Sequence, residues 1–327
     1  MSAASHCFFG IAYVLYFLSA IVYAANLIAR GKDRSRSVFF AAALGFASHT
    51  AALILHGLVE GHAPFTTLFE SASFLAWALV LIFLVVDRSY GLSSLGALAM
   101  SMAFLIIFAA STLPPNGHDP LVAKNHSLKI HIAMSLLGYA SLGMAFCAAV
   151  IYLLQERRLK SKKFAFGWKL LSLEDADVLA NRLAAVGFAL LTMGLITGFI
   201  FAAREWKGFW LVDPKVITSM AAWSVYVAYL YTRDVCGWRG RRTMLLLIVG
   251  FIAVLTGYIG VNAADVGRHA YRPRLFGSAV TKPASFAGEA LDRFGRRTVA
   301  EKPPRAGTNR KHAGENTGPF SPRNGLG

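Results

Sequence analysis

His131, in SLKIHIAMSLLGY, and His269, in GVNAADVGRHAYR, stand on either side of the stretch EWKGFWLVDPK, Glu205 to Lys215. One histidine opens an apolar run and the other follows one, which puts both at the edge of what a membrane would cover. Two imidazoles flanking a flat aromatic surface are what a bis-histidine haem site requires, with axial nitrogens above and below the iron and ring faces near the porphyrin. Trp206, Phe209 and Trp210 would supply that surface. Arg204, Lys207, Arg268 and Arg272 lie close enough in sequence to meet the two propionates, and a guanidinium pairs with a carboxylate through two parallel hydrogen bonds. Tryptophan and phenylalanine at a helix end also form the ordinary interfacial belt of membrane proteins. The residues alone leave both readings standing.

Three further histidines could do chemistry. His49 and His56 are seven residues apart in one apolar run, hence on one helix face, and His49 falls close to mid-membrane. An ionisable group at that depth is costly and turns to the bundle interior, either as a ligand or proton carrier or as a partner for a neighbouring helix. His62, in GHAPFTTLFES, sits where a Gly and a Pro indicate a tight turn, and a structural role is expected there. Trp77, Trp168, Trp223 and Trp238 are read as belt residues.

The elements that must position these groups follow from composition. The 327 residues are 56% hydrophobic and only 15% charged, with mean hydropathy +0.51. So much apolar surface exceeds what one water-soluble core can hide, and lipid must cover part of it. A helix needs about 20 apolar residues to cross the hydrocarbon layer. That criterion predicts spans near 7–29, 38–59, 68–86, 92–113, 130–154, 182–203, 214–232 and 243–263. The expected fold is all-α and polytopic, with about eight transmembrane helices and a Trp-rich loop facing outward.

The net charge of +16 sits in short clusters between spans and in the tail, with no RNA- or DNA-binding motif around it, so nucleic acid is not the expected partner. RGKDRSRS, QERRLKSKK and TRDVCGWRGRR fall on one side of the membrane together with DRSYG. By the positive-inside rule that side is cytoplasmic, which places both termini and the loops bearing the site residues outside. Cys7, Cys147 and Cys236 form no CxxC or CxxCH, so no disulfide framework or covalent haem attachment is expected. The first apolar run has its basic residues after it rather than before it and is expected to stay in the membrane. Residues 1–271 are expected to form the transmembrane domain, and 272–327, polar and rich in Gly, Pro, Arg and Asn, a disordered basic tail.

The segments GHAPFTTLFESASFLAW, HIAMSLLGYASL, RLAAVGFALLTMGLITG, FWLVDPK, AYLYTRDVCGWRGRR and GYIGVNAADVGRHAY, in this order, resemble the CcsA/ResC family of System II cytochrome c assembly proteins. The resemblance covers about Gly45 to Tyr271. It implies that Trp206 to Lys215 is the WWD loop that holds haem b at the outer face, with Trp206, Trp210, Asp213, Pro214 and Lys215 matching. It also implies that His131 and His269 are the axial ligands. A CcsB/ResB-like membrane protein would be the partner, apocytochrome c the substrate, and the bacterial inner membrane the location.

Departures from the family pattern are also legible. Lys207 stands for a Gly, Phe209 for a Tyr, Val212 for a third Trp and Val216 for a Glu, while Tyr231 takes the place of a histidine that usually serves an intramembrane haem site. The resemblance therefore implies a subunit presenting haem to a CxxCH segment, as part of a holocytochrome c synthetase. The departures keep a second reading open, a divergent HemX-like membrane scaffold or regulator without attachment activity.

Overall fold

The computed structural model describes residues 3–28, 35–90, 93–112, 122, 125–161, 171–205 and 212–260. Eight helices of fifteen residues or more occur among them: α1 Ala3–Ile28, α2 Ser35–Glu60, α3 Leu68–Tyr90, α4 Ser93–Ser111, α5 His126–Lys160, α6 Leu173–Glu205, α7 Pro214–Asp234 and α8 Arg241–Leu255. A π-helical turn, Thr256–Gly260, continues α8. No strand occurs among the described residues. The expected tail lies outside them.

Among the described residues seven helices are long and apolar enough to cross a membrane, and the chain is an all-α, multi-spanning integral membrane protein. The helix predicted over 214–232 is present, but it is not among these seven. Its 21 residues rise about 32 Å, enough for the crossing. Its composition is the reason it falls short, because Lys215, Tyr226, Tyr229, Tyr231 and Arg233 interrupt the apolar run. Tyr229 and Arg233 are buried and find partners on α6: the Tyr229 hydroxyl donates to Asn181 Oδ1 at 3.2 Å, and Arg233 makes a two-pronged pair with Asp177.

α5 and α6 run well beyond the spans predicted at 130–154 and 182–203. Hydropathy sees only the lipid-covered length, whereas capping sets the true end. Ser172 accepts the Asp175 amide at 3.0 Å and starts α6 in polar sequence. Asn125 does the same for α5, accepting from the amides of Ser127 and Leu128.

α5 is central, packing on α3, α4, α6 and α8, while α1 packs on α2 and α4, and α7 on α6 and α8. The α5–α6 pair is antiparallel and held close by glycine. A Cβ on Gly187 would lie 2.7 Å from Leu142 Cδ2, and one on Gly138 would lie 3.0 Å from the Leu191 amide nitrogen. Small residues let helix backbones approach in this way, and Ser141 uses the approach to donate to the Leu183 carbonyl at 2.8 Å. Exposed Phe17, Ile21, Phe40, Leu44 and Ile54 lie on the periphery, as lipid-facing residues should.

Candidate functional site

His131 lies in the second turn of α5. Its Nδ1 is 2.7 Å from the carbonyl oxygen of Gly194 on α6. A carbonyl can only accept, so Nδ1 carries the hydrogen and the neutral ring keeps its lone pair on Nε2. This is the arrangement by which proteins orient an imidazole toward a metal, with one nitrogen tied to backbone and the other left to ligate.

The slot for the ring is made by Gly198. A Cβ there would lie 2.6 Å from His131 Cε1 and Nδ1, so no side chain fits without displacing the imidazole. One turn earlier, a Cβ on Gly194 would lie 2.5 Å from Ser135 Oγ. Gly194 and Gly198 thus position the His131 ring, though neither is a histidine, an aromatic or a charged residue that sequence would mark as a site. The signal was present in GLITG, a small-xxx-small pattern of the kind that brings helices together.

The two ends of the aromatic stretch lie at the same end of the bundle as His131. α6 ends at Glu205, just beyond an exposed Arg204, and α7 starts at Pro214. Asp213 is buried and caps α7, its carboxylate accepting the Lys215 amide at 2.9 Å, while Pro214 occupies the first helical turn, where a missing N–H costs nothing. DPK is therefore a helix start as well as a candidate cofactor contact. Lys215 is an electrostatic neighbour of His131, which joins the end of the stretch to the imidazole. Trp206, Phe209, Trp210, His269 and Arg268 lie outside the described residues.

The route toward His269 leaves from the same end. A Cβ on Gly257 would lie 3.0 Å from Thr218 Oγ1 in the first turns of α7. Tyr258 packs edge-on to Tyr139 of α5 at 6.1 Å, and its hydroxyl meets Ser71 Oγ of α3 at 3.0 Å. His269 follows Gly260 by nine residues, a length of chain that reaches at most about 30 Å.

The intramembrane histidine is accounted for differently. His49 is fully buried, as expected, with Nδ1 3.3 Å from the Tyr16 hydroxyl and Nε2 2.9 Å from Ser73 Oγ. Both ring nitrogens are engaged. Tyr231 is 58% exposed on the outside of α7, so it does not share an internal site with His49, whose helix packs on α1 and α3. His62 has the structural place expected of it: Gly61 takes φ 71°, and the His62 Nδ1 lies 3.1 Å from the Ala63 carbonyl. Trp77 and Trp223, read as belt residues, instead donate inward to Thr50 and Thr192.

A helical, multi-spanning membrane protein with an oriented imidazole at the bundle end where α6 stops and the capped α7 begins is the class that fold and site define. Residues 65–269 match the family model described as cytochrome C assembly protein. The chain is 34% identical over 272 residues to the cytochrome c biogenesis protein CcsA of Prochlorococcus marinus (strain MIT 9303), covering 74% of this chain and 86% of that one. It is 35% identical over 249 residues to CcsA of Synechococcus sp. (strain CC9902), covering 68% and 82%. A further CcsA, from Prochlorococcus marinus (strain NATL1A), is 32% identical over 293 residues, covering 80% and 93%. The chain belongs to the cytochrome c assembly protein family.

Proposed function

We propose that this protein is the haem-handling subunit of a System II cytochrome c biogenesis complex, holding haem b between His131 and His269 at the outer face of the bacterial inner membrane. The observation that carries this reading is the His131 imidazole, tied through Nδ1 to Gly194 and presenting Nε2. The residues fit the group: the slot at Gly198 fixes the ring plane, and Lys215 nearby offers a cation for a propionate. Trp206, Phe209 and Trp210 would give the flat contact, with Arg204 and Arg268 as further propionate partners.

The substrates would be haem, whose vinyl groups accept the thiols, and an apocytochrome CxxCH segment, whose cysteines add as nucleophiles. This chain's part is positioning. His131 and His269 would hold the haem iron, and Trp206, Phe209 and Trp210 would set the depth and tilt at which the thiols approach. No side chain of this protein needs to act as nucleophile. A CcsB/ResB-like protein would complete the complex, with both termini of this chain outside.

Expression with such a partner and a reporter apocytochrome tests the reading. A low-spin bis-histidine spectrum in the purified protein, with covalent haem on the reporter, is expected. If the protein carries no haem and the reporter matures equally well without it, the scaffold reading replaces this one.

A further inference from the structure

We propose that the head of α8 binds an anionic phospholipid, with Arg241, Arg242 and Trp238 meeting the headgroup phosphate and the ridge Leu245, Val249 and Ile252 carrying an acyl chain. The site lies at the end of the bundle opposite His131. A Cβ on Gly240 would lie 2.9 Å from the Tyr152 hydroxyl, late in α5, and Arg241 Nη1 is 3.9 Å from Glu156 Oε2 on the same helix.

The turn that leads into α8 is firmly built. Gly237 and Gly240 take φ of 68° and 76°, left-handed conformations that other residues seldom adopt. The Trp238 amide donates to the Thr232 carbonyl at 2.9 Å. Arg239 Nη1 donates to the carbonyls of Arg233 and Trp238 at 3.0 and 3.2 Å, which commits that guanidinium to the turn itself. Trp238 is 39% exposed, and the Arg242 guanidinium stands 5.7 Å from the centre of its ring. An indole at the head of an apolar helix belongs in the headgroup layer, where its N–H can meet a polar group and its ring the acyl boundary.

Charge selects the ligand. Arg241 and Arg242 are both exposed. The carboxylate that Arg241 approaches, Glu156, is already paired with Lys160 at 2.6 Å, and Arg242 makes no ion pair among the described residues. Two guanidinia are therefore left for an anion, and each matches a phosphate through paired hydrogen bonds. A zwitterionic headgroup would bring its own cation against them. Basic sites between helices at a membrane surface hold anionic lipids on this principle.

The face below the arginines distinguishes a lipid from a free phosphate. Arg242, Leu245, Val249 and Ile252 follow one another at i, i+3, i+7 and i+10, hence on one side of α8, and the three apolar members are exposed. Thr243, Met244 and Leu247 are buried and form the inward side. The ten residues from Arg242 to Ile252 rise about 15 Å, which is half of the roughly 30 Å hydrocarbon layer and so the depth of one leaflet. A headgroup at the arginines thus puts its acyl chain along the ridge, whereas inorganic phosphate gains nothing from it. The site stands apart from any haem bound elsewhere.

The test is native mass spectrometry of the full chain in detergent, titrated with dioleoyl phosphatidylglycerol or dioleoyl phosphatidylcholine. The first phosphatidylglycerol should bind at least tenfold more tightly than phosphatidylcholine, and excess inorganic phosphate should leave it in place. Arg241→Gln with Arg242→Gln should weaken phosphatidylglycerol at least tenfold and leave phosphatidylcholine unchanged. Arg88→Gln with Arg157→Gln removes the same charge from the last turns of α3 and α5 and should leave both lipids bound as before. Equal affinity for the two lipids, a loss below tenfold in the α8 variant, the same loss in the α3 and α5 variant, or displacement by phosphate each overturns the proposal. Leu245→Gln keeps both arginines and should still weaken phosphatidylglycerol; unchanged binding there overturns the part assigned to the ridge.

Discussion

His131 Nδ1 lies 2.7 Å from the carbonyl oxygen of Gly194, so a backbone group on α6 sets the tautomer of a side chain on α5. The consequence is an imidazole with a defined plane and a defined ligating atom. Substituting His131→Ala or His269→Ala should each abolish a low-spin bis-histidine absorption spectrum, with added imidazole restoring part of it through the vacated axial position. Trp210→Ala should weaken retention more mildly, since stacking on an aromatic face contributes about 0.5–1.5 kcal/mol beyond area burial. Haem retained unchanged in the double histidine variant would mean that the aromatic stretch is only an interfacial belt.

Gly198→Ala tests the slot without touching a ligand. Its Cβ would sit 2.6 Å from the His131 ring. Either the ring turns away or the helices separate, and overpacking of this kind costs about 1–3 kcal/mol. The expected result is a weakened or high-spin haem spectrum and a lower melting temperature; a spectrum identical to wild type would show that the slot does not orient the ring.

Asp213 separates a cap from a cofactor contact. Asp213→Asn keeps an oxygen for the Lys215 amide and should leave stability nearly unchanged, whereas Asp213→Ala should cost about 1 kcal/mol. Thermal melts of both variants, read beside their haem content, make the distinction. Loss of haem in the asparagine variant at unchanged stability would assign the carboxylate a direct role.

Topology is open to reporter fusions. The N-terminus and the loop near Arg157 to Lys163 should report opposite sides, with the basic loop cytoplasmic and both chain ends outside. A C-terminal fusion active in the cytoplasm would overturn the alternation, and with it the shared face of His131 and His269.

Tyr231 and His49 bear on a second haem. With both His49 nitrogens engaged and Tyr231 on the outside of α7, this chain alone should hold no stable intramembrane haem. A stoichiometry clearly above one haem per protein, falling on His49→Ala or Tyr231→Phe, would be evidence against this.

Much of the protein was legible from local sequence. The number and order of the helices, the interior placement of His49 and His56, and the turn at Gly61 all rest on short-range patterns: runs of apolar residues, a seven-residue spacing, a Gly beside a Pro. Lipid coverage and helix periodicity act on a few consecutive residues at a time, so a one-dimensional reading captures them. The true lengths of α5 and α6 lay beyond it, because Ser172 and Asn125 cap the helices in stretches that hydropathy treats as loop.

Everything that depends on two helices meeting was decided only by the tertiary structure. Glu70 is an acid at the start of an apolar run, and only the packing of α2 on α3 gives it its partner, His56, at 2.8 Å. Trp77 and Trp223 have the composition of a belt, yet their indoles turn inward to threonines on neighbouring helices. Tyr231 is an aromatic within an apolar run and still points away from the bundle, because the packing of α7 on α6 and α8 selects which face is covered. The pairing of His131 with Gly194 and Gly198 is of the same kind. Sequence can place a histidine at a helix start, but only close backbone approach between two helices fixes which nitrogen it presents.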